Sequence, residues 1–146
     1  MKKPININYT CSHELSKGTE HSAGIDLHIP VPITIHPGKT MKITFNLSME
    51  IPEGYYGMLV PRSSFGLKGL YMHIGIIDSD YRGAMSFVIS NYSKKSWFKD
   101  NSIKLEKDER IGQLIIQPYL SNIKLNKVDS LSETKRGKGG FGSTGK

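Results

Sequence analysis

Proline and glycine recur so closely along this sequence that we expect short strands and no long helix. No window of twelve or more residues shows a clean 3.6-residue period. The interruptions fall at Pro30, Pro32, Pro37, Gly38, Pro52, Gly54 and Pro61. Short β-rich runs lie between such breaks, at residues 41–47, 56–60, 84–89 and 110–117. Short strands separated by turn signals predict an all-β sandwich or barrel.

The turn signals also predict how the chain is organised. The segment IHPGKTMKITFNL predicts a strand, a Pro-Gly turn and a second strand. The segment IPEGYYGMLVP follows the same pattern, with Pro61 ending its strand. From Ser121 the chain becomes polar and then glycine-rich. We therefore expect a β-barrel domain over residues 1–120 and a C-terminal arm over residues 121–146.

The hydrophobic content and the single cysteine indicate the cellular compartment in which the protein works. The 146 residues are enough for one domain with a core, and 37% of them are hydrophobic. No apolar stretch approaches the length of a membrane span, and the start MKKPININYT has no signal-peptide core. Cys11 is the only cysteine, which excludes an internal disulfide. We expect a protein of a reducing compartment, the cytoplasm or the nucleus, without membrane contact.

The formal net charge of +7 favours partners that carry phosphate, either nucleotides or nucleic acid. Solubility alone is an equally good explanation of that charge. The lysines are scattered and form no block of five or six. A dedicated DNA-binding arm and stable nucleic-acid binding are therefore not expected.

Two stretches in the first half of the chain combine polar side chains with an apolar strand. In AGIDL, Asp26 follows apolar residues, and it could either accept bonds from backbone amides or lie near a metal ion. In PRSSFGLKG, Arg62, Ser63 and Ser64 precede a glycine turn. Hydroxyls and free amides beside an arginine can bind an anion, although serine-rich turns are usually only turns.

The stretch GIIDSDYRG is the most informative. Asp78, Asp80, Tyr81 and Arg82 lie between the apolar runs IGII and AMSFVI, and this predicts a hairpin. An Asp-x-Asp turn is usually structural. A carboxylate at a pocket wall can instead orient a water as a general base, and a tyrosine ring can form the floor beneath a sugar.

Two further stretches carry polar groups towards the C-terminus. RIGQLI places Arg110 and Gln113 on an otherwise apolar strand, where edge-facing positions are the simpler explanation. RGKGGFGSTG combines Arg136, glycine amides, Ser143 and Thr144, a composition suited to cradling phosphate. It lacks the ending of a P-loop. No set of cysteines, histidines and carboxylates has zinc spacing, and the scattered histidines predict no common site.

Taken in this order, the five stretches resemble the five motifs of the trimeric dUTPases, over about residues 20–145. The resemblance implies a distorted jelly-roll β-barrel that forms a homotrimer, with three active sites at subunit interfaces and a flexible C-terminal arm. It also implies Mg²⁺-dependent hydrolysis of dUTP to dUMP and pyrophosphate. That reaction keeps uracil out of DNA and supplies dUMP for dTMP synthesis.

The resemblance assigns roles around the base, the sugar and the attacking water. Asp78 would orient the water that attacks the α-phosphorus. Tyr81 would lie beneath the deoxyribose and leave no room for a 2′-hydroxyl. The backbone of residues 75–78, which includes Gly75 and Ile77, would read the edge of the uracil.

Phosphate and metal contacts follow from the same resemblance. Asp26 would steady Mg²⁺ through bound waters. The residues that would hold the phosphates are Arg62, Ser63, Ser64 and Gln113. The tail residues that would close the site are Arg136, Phe141, Gly142, Ser143 and Thr144, with Phe141 stacked on the uracil and Arg136, Ser143 and Thr144 on the β- and γ-phosphates.

Some positions depart from the family pattern. Ser64 stands where glycine is frequent, and Gly112 stands where alanine is more usual. One alternative is a dCTP deaminase-like enzyme of the same fold, which the complete terminal motif argues against. Another is a non-enzymatic basic β module that binds nucleic acid, which would need no Asp78 and whose binding would fall steeply with salt.

Overall fold

The computed structural model describes residues 4–93 and 100–140, and nearly all of the regular secondary structure in this part of the chain is β-strand. Its strands and its single short helix are β1 (Asn8–Cys11), β2 (Ile25–His28), β3 (Ile33–Ile35), β4 (Thr40–Thr44), β5 (Leu47–Glu50), β6 (Tyr55–Pro61), α1 (Ser63–Leu67), β7 (Leu70–Met72), β8 (Gly75–Ile77), β9 (Ser86–Asn91), β10 (Ile103–Leu105) and β11 (Arg110–Pro118). No helix in these residues is long and apolar enough to cross a membrane. The all-β prediction is confirmed.

Two antiparallel sheets form the body of the fold. The larger has the strand order β2-β11-β6-β8, and the smaller has the order β4-β9-β7. Two ribbons, β1-β5 and β10-β3, complete the pairing. Because β11 lies between β2 and β6, Arg110 and Gln113 are on an inner strand and not at a sheet edge. The arrangement is consistent with the jelly-roll class.

The core fills the space between the sheets. Leu59 and Leu114 of the larger sheet are fully buried, as is Ile89 of the smaller. Phe87 from β9 packs edge-on against Phe45, with the ring centroids 5.6 Å apart. A Cβ atom added at Gly112 would lie only 2.6 Å from the Phe87 ring. Glycine at this position therefore lets β9 and β11 approach closely.

One buried polar residue joins separate parts of the fold. Asn91 is completely buried, and its Nδ2 donates to the carbonyls of Ile35 (2.9 Å) and Asn101 (3.0 Å). Its Oδ1 accepts from the backbone N–H (3.0 Å) and the hydroxyl (2.6 Å) of Ser93. These bonds satisfy a buried amide and tie β9 to β3, and the sequence offered no sign of them.

Three local predictions are corrected by the structure. The run at 41–47 is not one strand, because β4 ends at Thr44 and β5 begins at Leu47. Met85 bridges the break: its carbonyl accepts from Phe45 N–H (2.9 Å) and its N–H donates to the Leu47 carbonyl (2.9 Å). The runs IGII and AMSFVI do not form a hairpin, because β8 pairs with β6 whereas β9 pairs with β4 and β7. The serine-rich stretch after β6 forms the single helical turn α1 and not only a turn.

Beyond β11 the chain continues on the surface. Tyr119 N–H donates to the Gly54 carbonyl (2.9 Å), and the described residues from 121 to 140 contain neither strand nor helix. Several apolar side chains are exposed there, including Ile123, Leu125 and Leu131. The division into a domain and an arm remains a prediction.

Candidate active site

Asp26, Gln113 and the Arg62 segment converge at one end of the larger sheet. In the strand register Gln113 pairs with Asp26 on one side and with Val60 on the other. Arg62 directly follows β6, and its N–H donates to the Ile111 carbonyl (3.2 Å). Because the motif resemblance assigns phosphate contacts to these residues, we call this group, with Ser63 and Ser64, the phosphate end. The first, second and fourth motifs therefore meet within one chain.

Two close contacts, Gly24 with Gln113 and Arg110 with Asp26, position side chains at the phosphate end. A Cβ atom at Gly24 would lie 2.7 Å from the Gln113 Cβ, so Gly24 leaves the space that the Gln113 side chain occupies. Arg110 Nη1 lies 3.5 Å from Asp26 Oδ2, and only 15% of the Asp26 side chain is exposed. Asp26 thus has a side-chain partner, where the sequence left backbone amides or a metal ion as the alternatives.

Helix α1 begins at the phosphate end with free donors. Arg62 occupies the N-cap position with an extended backbone, and no side chain hydrogen-bonds to this end of the helix. Ser63 and Ser64 form the first turn and are exposed. Amide and hydroxyl donors are therefore available to an anion beside the Arg62 side chain.

Asp78 lies in a different place, in the loop that follows β8. It is exposed and lines an open cavity of about 900 Å³. The other lining residues are Ile51, Glu53, Tyr56, Ile76, Ser79, Asp80, Arg82 and Tyr119. A carboxylate in this position is accessible to water and to substrate, as a general base must be.

The loop that carries Asp78 is held by its own hydrogen bonds. Tyr81 N–H donates to the Asp78 carbonyl (3.1 Å), which closes a turn. Arg82 Nη1 donates to the carbonyls of Ser79 (2.7 Å) and Tyr81 (3.1 Å). The Tyr81 hydroxyl donates to the Ala84 carbonyl (3.1 Å). We call residues 78–84 the Asp78 loop.

Strand register shows how far the Asp78 loop lies from the phosphate end. Asp78 follows Ile77, which pairs with Gly57, whereas Asp26 is level with Val60 at the opposite end of β6 and on the far strand of the sheet. With about 4.8 Å between strands and about 3.3 Å per residue, the Asp78 and Asp26 backbones lie about 20 Å apart. One chain therefore does not bring the two groups into one site.

Two histidines are in contact beside a cavity that Asp26 also lines, although the sequence predicted no grouping of histidines. The His13 and His28 rings are 5.7 Å apart and line a cavity of about 240 Å³ with Asp26 and Cys11. Burial and then the neighbouring His13 lower the pKa of His28, whose buried Nδ1 has no hydrogen-bond partner. Fourteen residues of sequence lie between the two histidines, so only the folded chain reveals their contact.

The C-terminal motif is described only at its start. Arg136 Nε donates to the Gly139 carbonyl (3.1 Å), and Gly137 has a φ of 51° that suits glycine. Both belong to an exposed turn. The predicted contacts of Phe141, Gly142, Ser143 and Thr144 lie outside the described residues.

Comparison with known proteins gives the family. The dUTPase family model matches residues 11–145. A deoxyuridine 5′-triphosphate nucleotidohydrolase of Escherichia phage T5 is 39% identical over 137 residues, 88% of each chain. One of Saccharomyces cerevisiae is 34% identical over 131 residues, 89% of this chain and 85% of that one. A solved dUTPase of Staphylococcus bacteriophage 80alpha with dUpNHpp has a TM-score of 0.87 at 25% identity, covering 97% of this chain and 99% of that one. The chain belongs to the dUTPase family.

Proposed function

We propose that this protein hydrolyses dUTP to dUMP and pyrophosphate at a site built from more than one copy of the chain. The observation that carries the proposal is the separation of two complementary groups in a chain of the dUTPase family. The Asp78 loop offers a base and an aromatic ring, and the phosphate end offers cationic, hydroxyl and amide groups. Neither group alone would be sufficient to bind dUTP and hydrolyse it.

Asp78 would act as the general base. Its carboxylate would accept a proton from a water molecule while the water oxygen attacks the α-phosphorus in line with the leaving group. The bond from the α-phosphorus to the bridging oxygen would break, and pyrophosphate would leave with that oxygen. The open cavity beside Asp78 supports this role because water and nucleotide can both enter it.

Strand β8 and Tyr81 would recognise the nucleoside. Gly75 and Ile77 lie on β8, whose outer edge is not paired with another strand in the described residues. Backbone donors and acceptors along this edge would match uracil, and cytosine would leave them unpaired at a cost of about 1–3 kcal/mol each. Tyr81 is 43% exposed, so its ring has a surface that the deoxyribose could cover.

The phosphate end would bind the triphosphate. Arg62 would contribute charge, and Ser63 and Ser64 would contribute the free donors of the first turn of α1. Gln113 would add a contact from the position that Gly24 leaves open. Holding the phosphates in line with the attacking water supplies much of the catalysis in phosphoryl transfer.

Members of the dUTPase family generally depend on a divalent metal ion, and the donors in this chain suit Mg²⁺. No three His, Cys, Asp or Glu side chains form a metal-binding group within 4–93 and 100–140. Mg²⁺ needs no such group, since it keeps several waters and takes one or two carboxylates with substrate phosphates. Asp26, whose Oδ2 lies beside Arg110, would hold the ion through water. When bound, Mg²⁺ neutralises phosphate charge.

The separation of about 20 Å between Asp78 and Asp26 supports a homotrimer with shared sites. A metal and an α-phosphorus in one nucleotide are neighbours, so these two residues would have to come from different copies. The exposed apolar residues Ile123 (65%), Leu125 (90%) and Leu131 (87%) support an arm that packs against another copy. Residues 136–144 would then close over a site on that copy and exclude water.

Pyrophosphate release tests the proposed function. We expect release from dUTP with Mg²⁺ and little from dCTP, dTTP or UTP, and we expect a chelator to stop it. Asp78→Asn, which keeps the shape of the side chain but removes the base, should lower kcat by about 10²–10⁴-fold and leave nucleotide affinity nearly unchanged. Equal release from dCTP and dUTP, or a variant with the parent kcat, would contradict the assignment.

A further inference from the structure

Gly83 lies against the Tyr81 ring in the Asp78 loop. A Cβ atom at Gly83 would collide with the Tyr81 hydroxyl and lie 2.6 Å from Cζ and 3.0 Å from Cε2. Gly83 does not have a positive φ, unlike Gly38, Gly54 and Gly69. The backbone conformation therefore does not require glycine at this position. The position of the Tyr81 ring requires it, because the ring occupies the space of a Cβ atom.

The Tyr81 ring is held on this surface by its hydroxyl group. Its hydroxyl donates to the Ala84 carbonyl (3.1 Å), and Tyr81 remains 43% exposed. The Tyr81 N–H bond to the Asp78 carbonyl (3.1 Å) fixes the start of the same loop. The missing side chain at Gly83 and the Ala84 carbonyl thus set where the exposed part of the ring lies relative to Asp78.

We propose that Gly83 is a positioning residue for sugar selection: with the Ala84 carbonyl it seats the Tyr81 ring where that ring excludes a ribose 2′-hydroxyl. This inference rests on the proposed role of Tyr81 beneath the deoxyribose. A methyl group at Gly83 cannot fit beneath the ring, so the ring must rotate off its seat. The space kept closed to the 2′-hydroxyl would then open while Asp78 stays in place.

The experiment compares kcat and KM for dUTP and UTP in Gly83→Ala, Tyr81→Ala and the double variant. We expect Gly83→Ala to lower the dUTP-to-UTP ratio of kcat/KM by about tenfold, the size of effect that small changes of pocket shape produce. Adding Gly83→Ala to Tyr81→Ala should change that ratio no further, because the ring is already gone. Gly66→Ala is the matched control, since its Cβ would meet nothing within 4 Å.

Each result separates this inference from the proposed function. A parent protein that does not hydrolyse dUTP overturns both, and Tyr81→Ala with an unchanged ratio overturns the role of Tyr81. If Tyr81→Ala lowers the ratio but Gly83→Ala does not, only the role of Gly83 is overturned. The role of Gly83 is also overturned if Gly83→Ala changes the dUTP-to-UTP ratio equally in the parent and in Tyr81→Ala. If circular dichroism shows that Gly83→Ala does not fold, Tyr81→Phe is measured in its place. This variant loses the bond to the Ala84 carbonyl, so it should also lower the dUTP-to-UTP ratio of kcat/KM. An unchanged ratio would overturn the proposed positioning of the ring.

Discussion

Gly112→Ala should destabilise this protein, because the space for the added methyl group is already filled by Phe87. The new Cβ would lie 2.6 Å from Cε2 and Cζ of Phe87 and 2.7 Å from the Val60 carbonyl oxygen. Ordinary contacts between carbon atoms are about 3.5–4.0 Å, so the ring must move by about 1 Å. Phe87 is 1% exposed and packs against Phe45, which leaves it little freedom.

The expected cost is about 1–3 kcal/mol, the usual range for an extra methylene in a well-packed core. For a domain of this size, about 2 kcal/mol corresponds to a fall in Tm of about 4–8 °C. The assay is thermal unfolding followed by circular dichroism at one fixed protein concentration, because association shifts the apparent Tm. Gly66→Ala serves as the control, with a Cβ that meets no atom within 4 Å.

A second substitution tests the cause of the effect. Phe87→Leu removes the ring atoms that would meet the new methyl group, so Gly112→Ala should cost less in that background. We expect a coupling of about 1 kcal/mol, with part of the cost retained because the Val60 carbonyl does not move. A parent-like Tm for Gly112→Ala, or an equal cost with and without the Phe87 ring, would show that the ring does not limit the space at Gly112.

Two further predictions concern stability. Asn91→Leu keeps the approximate shape of the side chain but removes the donor to the buried Ile35 carbonyl and to the part-buried Asn101 carbonyl. Urea unfolding should show a loss of about 2–3 kcal/mol in the free energy of unfolding, and a loss below about 0.5 kcal/mol would show that the bonds are unimportant. Burial and His13 lower the pKa of His28 below its ordinary value of 6.5, so the folded state binds fewer protons than the unfolded state just below that pH. The free energy of unfolding should therefore fall as the pH drops through 6.5 and below. His28→Gln should flatten this slope in urea titrations, and an unchanged slope would exclude His28 as its source.

Local signals in the sequence identified the strands and the motifs but not their partners. The apolar run before Asp78 indicated a strand correctly, yet β8 pairs with β6 and not with β9. Alternation along a run shows that it is a strand, whereas its partner depends on burial between residues far apart in sequence. The gathering of Asp26, Arg62 and Gln113 is a result of that pairing.

The sequence also could not show where a missing side chain or a buried polar group matters. Gly83 and Gly112 look like ordinary loop and strand glycines until the Tyr81 and Phe87 rings are placed beside them. Asn91 looks like the polar end of a strand, although it is fully buried. In each case the decisive quantity is the distance to a residue on another segment or across a loop, and no spacing pattern encodes it.

In the proposed enzyme, Asp78 and the phosphate end of one chain serve different sites. The direct test mixes two inactive variants, Asp78→Asn and the double variant Arg62→Ala with Gln113→Ala, unfolded and refolded together at equal ratio. Tags of different mass and native mass spectrometry establish that mixed assemblies have formed. Each variant refolded alone, and parent protein treated in the same way, provide the reference rates of pyrophosphate release from dUTP.

If sites are shared between copies, a site can take Asp78 from one chain and Arg62 with Gln113 from another. Random assembly then completes about a quarter of the sites, so the mixture should show about a quarter of the parent activity. If both groups act within one chain, every site in the mixture lacks one of them. Mixed assemblies with no more activity than the separate variants would contradict the shared site.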